Sequence, residues 1–133
     1  MFMKFELHPN FSEKELITDL NLCKVLANNV ADFPWIFLIP MRPNIRQIHD
    51  LSKQDQYLLM DEIDHCSKIM KQLFNPDQLN IAAIGNITPQ LHMHIICRHK
   101  QDPYWPDVVW NKPTNPILIN DFHHQINLIK KHI

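Results

Sequence analysis

A chain of 133 residues with 13 basic and 14 acidic side chains, net charge −1, lacks the basic surplus that a nucleic-acid backbone or an anionic membrane would attract. Hydrophobic content of 45% and charged content of 20% exclude a disordered chain, and the length is enough to bury one core without disulfides. Cys23, Cys66 and Cys97 are widely spaced with no CxxC pair; no disulfide framework can be read, and free thiols in a reducing compartment are expected.

Met1 to Glu6 lacks the basic head and apolar core of a signal peptide, and no apolar run approaches about 18 residues. We therefore expect a cytoplasmic protein, with neither nucleic acid nor membrane as partner. A single glycine, Gly85, against ten prolines leaves no glycine-rich phosphate loop, so any phosphate site must be built another way. No repeat, low-complexity tract or linker divides the chain, and one domain over residues 1–133 is expected.

Residues 1–14 read as an irregular lead-in. Glu15 to Leu20 and Leu22 to Ala27 read as two short strands, with Asn21 a natural turn residue between them. After the loop Asn28 to Pro34, the unbroken apolar run Trp35 to Ile39, closed by Pro40, predicts a central strand buried on both faces. Ser52 to Phe74 is the clearest helix. Ser52 with Asp55 resembles a capping box, Leu59, Ile63, Cys66, Met70 and Leu73 share one face, and Asn75-Pro76 stops it.

Leu79 to Ile84, a turn over Gly85 to Pro89, and Gln90 to Arg98 predict a hairpin. From about residue 99 the chain is rich in proline and tryptophan, too much so for regular structure up to residue 118. Asp121 is placed to cap a last helix from Phe122 to about His132, with Phe122, Ile126 and Ile129 inward. About five strands in an antiparallel sheet, one long helix and a C-terminal helix make the expected class α+β.

From Gln90 to Ile95 polar and apolar residues alternate strictly, so a strand here puts Gln90, His92 and His94 on one face and Leu91, Met93 and Ile95 on the other. Histidines two apart on a strand lie about 7 Å apart at their α-carbons, close enough for both rings to meet one small anion or metal ion. The bland alternative is a solvated or hydrogen-bonded face that happens to hold histidine. A metal site is another alternative, because His-x-His on a strand is a common ligand pair, but it needs a third ligand and nothing selects among His8, His49 and His99. A cupin-like barrel would want many more short strands and no long helix.

The stretch Gln90-Leu91-His92-Met93-His94-Ile95-Ile96, followed by Cys97-Arg98, resembles the signature of the histidine-triad family of nucleotide hydrolases and transferases: His, apolar, His, apolar, His and two apolar residues, often followed by Pro-Arg. Here Gln90 stands at the first histidine and Cys97 at the proline. Leu38-Ile39-Pro40 resembles the family's Val-Ile-Pro strand end, and the helix and hairpin follow in the family's order, so the likeness covers about residues 15–98.

The resemblance implies a role for each residue. His92 would be the nucleophile that attacks the α phosphorus and forms a nucleotidyl-histidine, resolved by water. Its other ring nitrogen would need an acceptor to hold the tautomer, in this family usually a backbone carbonyl. His94 would donate to a non-bridging phosphate oxygen. Gln90 would donate a hydrogen bond but give up no proton, weakening help to a poor leaving group.

The family's ribose-binding acid aligns near Asn28, with Asp32 as the fallback. The phosphate loop is shortened to Asn86-Ile87-Thr88-Pro89, leaving Asn86 and Thr88 as its polar groups, although Asn86 also reads as a plain turn residue. The implied partners are a small nucleotide substrate and a second copy in a twofold dimer, with no cofactor and no metal. The implied activity is hydrolysis or transfer at a phosphoramidate or phosphoanhydride bond. The alternatives are a nucleotide-binding or regulatory protein without turnover, or a metal-binding protein.

Overall fold

The run Trp35–Pro40 becomes strand β3, and all six of its residues are buried. The computed structural model describes residues 4–133. In chain order it contains β1 (Glu15–Asp19), β2 (Cys23–Asn28), β3, helix α1 (Lys53–Phe74), β4 (Gln78–Ala82), β5 (Met93–Arg98) and helix α2 (Ile119–His132). Among the described residues the strands form one sheet in the order β1-β2-β3-β5-β4, every neighbouring pair antiparallel. The fold is α+β, as expected.

Central position explains why β3 is apolar on both faces. Ile36 and Leu38 face the two helices, packing with Leu59, Ile63, Cys66 and Met70 of α1 and Phe122, Ile126 and Ile129 of α2. Trp35, Phe37 and Ile39 face the other way, into a second cluster with Phe11, Val30, Phe33, Ile96 and Val109. A sheet covered on one side by helices and on the other by loops needs no polar face in its middle strand.

Helix α1 starts where Ser52 accepts the Asp55 N–H at 3.1 Å and ends at Asn75, whose φ of 44° is left-handed, ahead of Pro76. Its buried face also holds an acid that the apolar pattern hides. Glu62 is 6% exposed and accepts the backbone N–H groups of Leu22 and Cys23, each at 2.8 Å. Two charge-assisted bonds offset the loss of solvent and tie α1 to the start of β2. The three cysteines are free and buried. Burial raises the thiols of Cys66 and Cys97 to about 12 and that of Cys23 further, so they are inert at neutral pH.

Strands β1, β2 and β4 differ from the sequence reading by one or two residues at their ends, and three differences are larger or bear on the site. Strand β5 begins at Met93, not Gln90. The Leu91 N–H leaves the sheet for the Ile45 carbonyl, and β3 pairs with β5 only from Leu38↔Met93 onward. The hairpin connection therefore spans residues 83–92 rather than Gly85 to Pro89. Helix α2 starts at Ile119 with Leu118 as its cap residue; Asp121 sits inside the first turn, where a carboxylate favours the helix dipole.

Residues 99–118 contain turns and no helix or strand, but they are held in place. Arg98, 2% exposed, forks onto Asp102 through Nε at 2.7 Å and Nη2 at 3.0 Å, and donates to Asn80 Oδ1 at 3.0 Å. Its guanidinium lies 5.3 Å from the centroid of the Phe33 ring and 5.8 Å from that of Trp105. Burial pushes the Asp102 carboxyl up, but the Arg98 bond and the N–H groups of Tyr104 and His99 outweigh it and hold it below the usual range. Farther on, Asn115 accepts the Ala31 N–H through its carbonyl, and Asn29 Oδ1 accepts the Ile117 N–H.

Candidate active site

His92 precedes β5 and His94 lies in it, opposite Phe37 of β3 and Ala82 of β4. Their rings are 4.8 Å apart and steeply inclined, and the residues are only 8% and 7% exposed. Leu91, Met93, Ile95 and Cys97 point into the helix-side core, so the pleat carries both imidazoles to the opposite side.

The two rings are held in opposite tautomers. Nδ1 of His92 lies 2.7 Å from the Gln90 carbonyl, which can only accept, so in the neutral ring the proton sits on Nδ1 and the lone pair on Nε2. Nδ1 of His94 accepts the Trp35 indole N–H at 3.1 Å; an indole only donates, so the His94 proton sits on Nε2. Burial, and then the neighbouring His92, lowers His94 to about 3, which keeps it a neutral donor. The pair thus presents one free base and one N–H.

Aromatic edges pack around the imidazoles. Phe11 and Phe37 lie 5.1 and 6.2 Å from His92, and Phe37 and Trp110 lie 5.1 and 4.7 Å from His94. Both histidines open onto a cleft of about 530 Å³, lined also by Ile84, Gly85, Asn86, Ile87, Thr88, Trp110 and Asn111. Gly85, with φ of 63°, makes the left-handed turn that starts the lip, a conformation costly for a residue with a Cβ. No lysine, arginine or carboxylate stands in that lining. Among the described residues, no group of three or more His, Cys, Asp or Glu side chains is arranged to hold a metal ion.

Of the residues singled out in the sequence, the cleft brings together His92, His94, Asn86 and Thr88. Gln90 is not in its lining: Oε1 accepts the His8 N–H at 2.9 Å and Nε2 donates to the Glu6 carbonyl at 2.8 Å. Asn28 accepts from Lys14 Nζ at 2.8 Å, and Asp32 is exposed; neither lines the cleft. Sequence reasoning passed over Trp35, Asn111 and Phe11. The signal for Trp35 was its place two residues before Phe37 on the central strand, which shares a face with His94 once the register is known.

A HIT-domain model matches residues 11–101, and the chain belongs to that family, the histidine-triad proteins. The solved histidine-triad protein of Bradyrhizobium japonicum is 38% identical, covers 98% of this chain and 99% of its own, and superposes with a TM-score of 0.95. For the histidine-triad protein of Marinobacter aquaeolei the identity is 34%, the coverage 98% and 100%, and the TM-score 0.90. Plasmodium falciparum diadenosine triphosphate hydrolase is more distant, 23% identical over 100% of this chain and 86% of its own with a TM-score of 0.63, a likeness of fold. Comparison with curated proteins gives no match. No helix among the described residues is long and apolar enough to cross a membrane.

Proposed function

We propose that the protein is a nucleotide hydrolase or nucleotidyl transferase acting at an α phosphorus through His92. The observation that carries this reading is the bond from His92 Nδ1 to the Gln90 carbonyl, which makes Nε2 the lone-pair nitrogen of the neutral ring, in a cleft where His94 offers an N–H. Nε2 forms a bond to phosphorus while the bond to the leaving group breaks and its electron pair departs with that group. Water then displaces the imidazole, releasing the nucleoside monophosphate and restoring the lone pair. His94 Nε2–H stabilises negative charge on a non-bridging oxygen in both steps.

Asn86 and Thr88 supply neutral hydrogen bonds at the phosphate end, and Trp110 supplies an aromatic edge beside His94. Asn28 or Asp32 would meet the ribose only if a nucleotide reaches past the cleft lining. The family resemblance further suggests a twofold dimer in the cytoplasm. Exposed Tyr57 and Met60 on α1, and Ile81 on edge strand β4, are apolar groups that a second copy would cover.

The test is mass spectrometry of protein mixed briefly with adenosine 5′-phosphoramidate or a diadenosine polyphosphate and quenched in alkali, beside His92→Ala. A nucleotidyl mass on the parent chain alone is the expected result. Binding without adduct or product would favour a nucleotide-binding protein without turnover, a reading consistent with the amide at position 90.

A further inference from the structure

We infer that Gln90 is a positioning residue that latches the N-terminal strap, residues 5–11, against the His92 side of the site. Both ends of its amide are committed to the strap backbone. Oε1 accepts from the His8 N–H at 2.9 Å, and Nε2 donates to the Glu6 carbonyl at 2.8 Å. Turning the amide over would set oxygen against oxygen and N–H against N–H, so this orientation alone satisfies both bonds.

Next in the strap, the His8 ring accepts the Asn10 N–H at 3.0 Å and the His8 carbonyl accepts the Phe11 N–H at 3.0 Å, which winds residues 9–11 into a short 3-10 turn. Asn10 Nδ2 then donates to Thr88 Oγ1 at 2.9 Å, on the lip of the cleft. Phe11, 4% exposed, sets its ring 5.1 Å from that of His92. The side chain at the signature's first position is thus spent on building the wall that confines His92. A proton for the leaving group does not come from it.

The latch stands on this geometry alone, whereas its effect on turnover rests on the nucleotidyl-transfer reading above. Gln90→Met keeps most of the side-chain volume and removes both bonds. His8→Pro removes only the N–H end together with the His8 ring, at a φ of −59° that proline adopts without strain. In the full-length protein, the His92 ring-proton resonance is followed by NMR in each single variant and in the double variant, with the amide spectrum of α1 confirming that the sheet and helices persist.

If Gln90 works through the strap, each single variant moves the His92 resonance and the double variant moves it no further than Gln90→Met does. A resonance unmoved by Gln90→Met, or shifts that add in the double variant, would overturn the latch. With substrates of good and poor leaving groups, Gln90→Met is expected to lower kcat/KM for both by a similar factor, because the loosened strap no longer holds Phe11 against His92. The ratio of kcat between the two substrates should stay within about twofold. Selective loss on the poor leaving group would overturn the positioning role. Absence of any turnover in the parent protein counts against the proposed chemistry, and the resonance still decides the latch.

Discussion

The indole of Trp35 on β3 donates to Nδ1 of His94 on the adjacent strand β5, at 3.1 Å. That one bond decides which nitrogen of His94 carries the proton, and so whether the ring meets the cleft as a donor. With His92 held the opposite way by the Gln90 carbonyl, two identical side chains acquire complementary roles.

Trp35→Phe keeps an aromatic ring in the cluster and removes the donor. Nitrogen-15 spectra of the His94 ring are expected to show the Nδ1–H tautomer becoming populated. Nucleotidyl transfer should fall in kcat/KM by about five- to tenfold, the worth of one hydrogen bond of roughly 1 kcal/mol. An unchanged tautomer in the variant would show that burial by itself orients the ring.

His94 also imposes a pH dependence on stability. Its folded value of about 3 lies below the ordinary 6.5, so between those limits the unfolded chain binds a proton that the folded chain refuses. Stability therefore rises with pH through that window and is lost as pH falls from about 6.5 toward 3. By pH 4.5 the loss from this group is on the order of 2–3 kcal/mol at most. Urea unfolding at pH 7 and pH 4.5 is expected to show a smaller drop for His94→Gln than for the parent protein.

Arg98 holds the proline-rich segment that brings Trp110 to the site. Lysine cannot reproduce the fork to Asp102 or set a delocalised planar cation over both Phe33 and Trp105. Arg98→Lys should cost about 3 kcal/mol in urea unfolding, because the Asp102 carboxylate keeps its bonds from the N–H groups of His99, Tyr104 and Trp105 but loses both bonds of the fork. Tryptophan fluorescence should shift to longer wavelength at denaturant concentrations well below the main transition, as residues 99–110 loosen first.

The lining of the cleft contains no cation to offset a chain of phosphates. Adenosine 5′-phosphoramidate should accordingly be preferred over diadenosine tetraphosphate by at least about tenfold in kcat/KM, equivalent to roughly 1.4 kcal/mol. Direct competition between the two measures this, and millimolar magnesium, which screens the polyphosphate, is expected to narrow the gap.

Much of the architecture was legible because it is written in local periodicities. Six consecutive apolar or proline residues at 35–40 announce a strand with no solvent face, and Ser52, the spacing from Leu59 to Leu73 and Asn75-Pro76 mark the long helix at both ends. His-x-His beside an alternating apolar set marked the stretch whose two imidazoles share one face of the sheet. Glu62 was hidden because its partners are backbone N–H groups some forty residues earlier, which leave no trace in the helical pattern. The early start assigned to β5 failed for a related reason: alternation continues through Gln90 to His92, but the Leu91 N–H bonds to the Ile45 carbonyl, a partner 46 residues earlier, and β3 pairs with β5 only from Met93 onward.

The sequence by itself determined the α+β class, the family signature and the two imidazoles on one face, since each follows from residue types at short spacing. Only the tertiary structure decided which nitrogens of those imidazoles are paired and which groups the Gln90 amide bonds. The proton on His94 is placed by an indole 59 residues away, and the amide of Gln90 is claimed by a backbone N–H 82 residues away. A hydrogen bond is directional and short-ranged, so its partner is set by how the folded strands and the strap come together, and spacing along the chain carries no record of it.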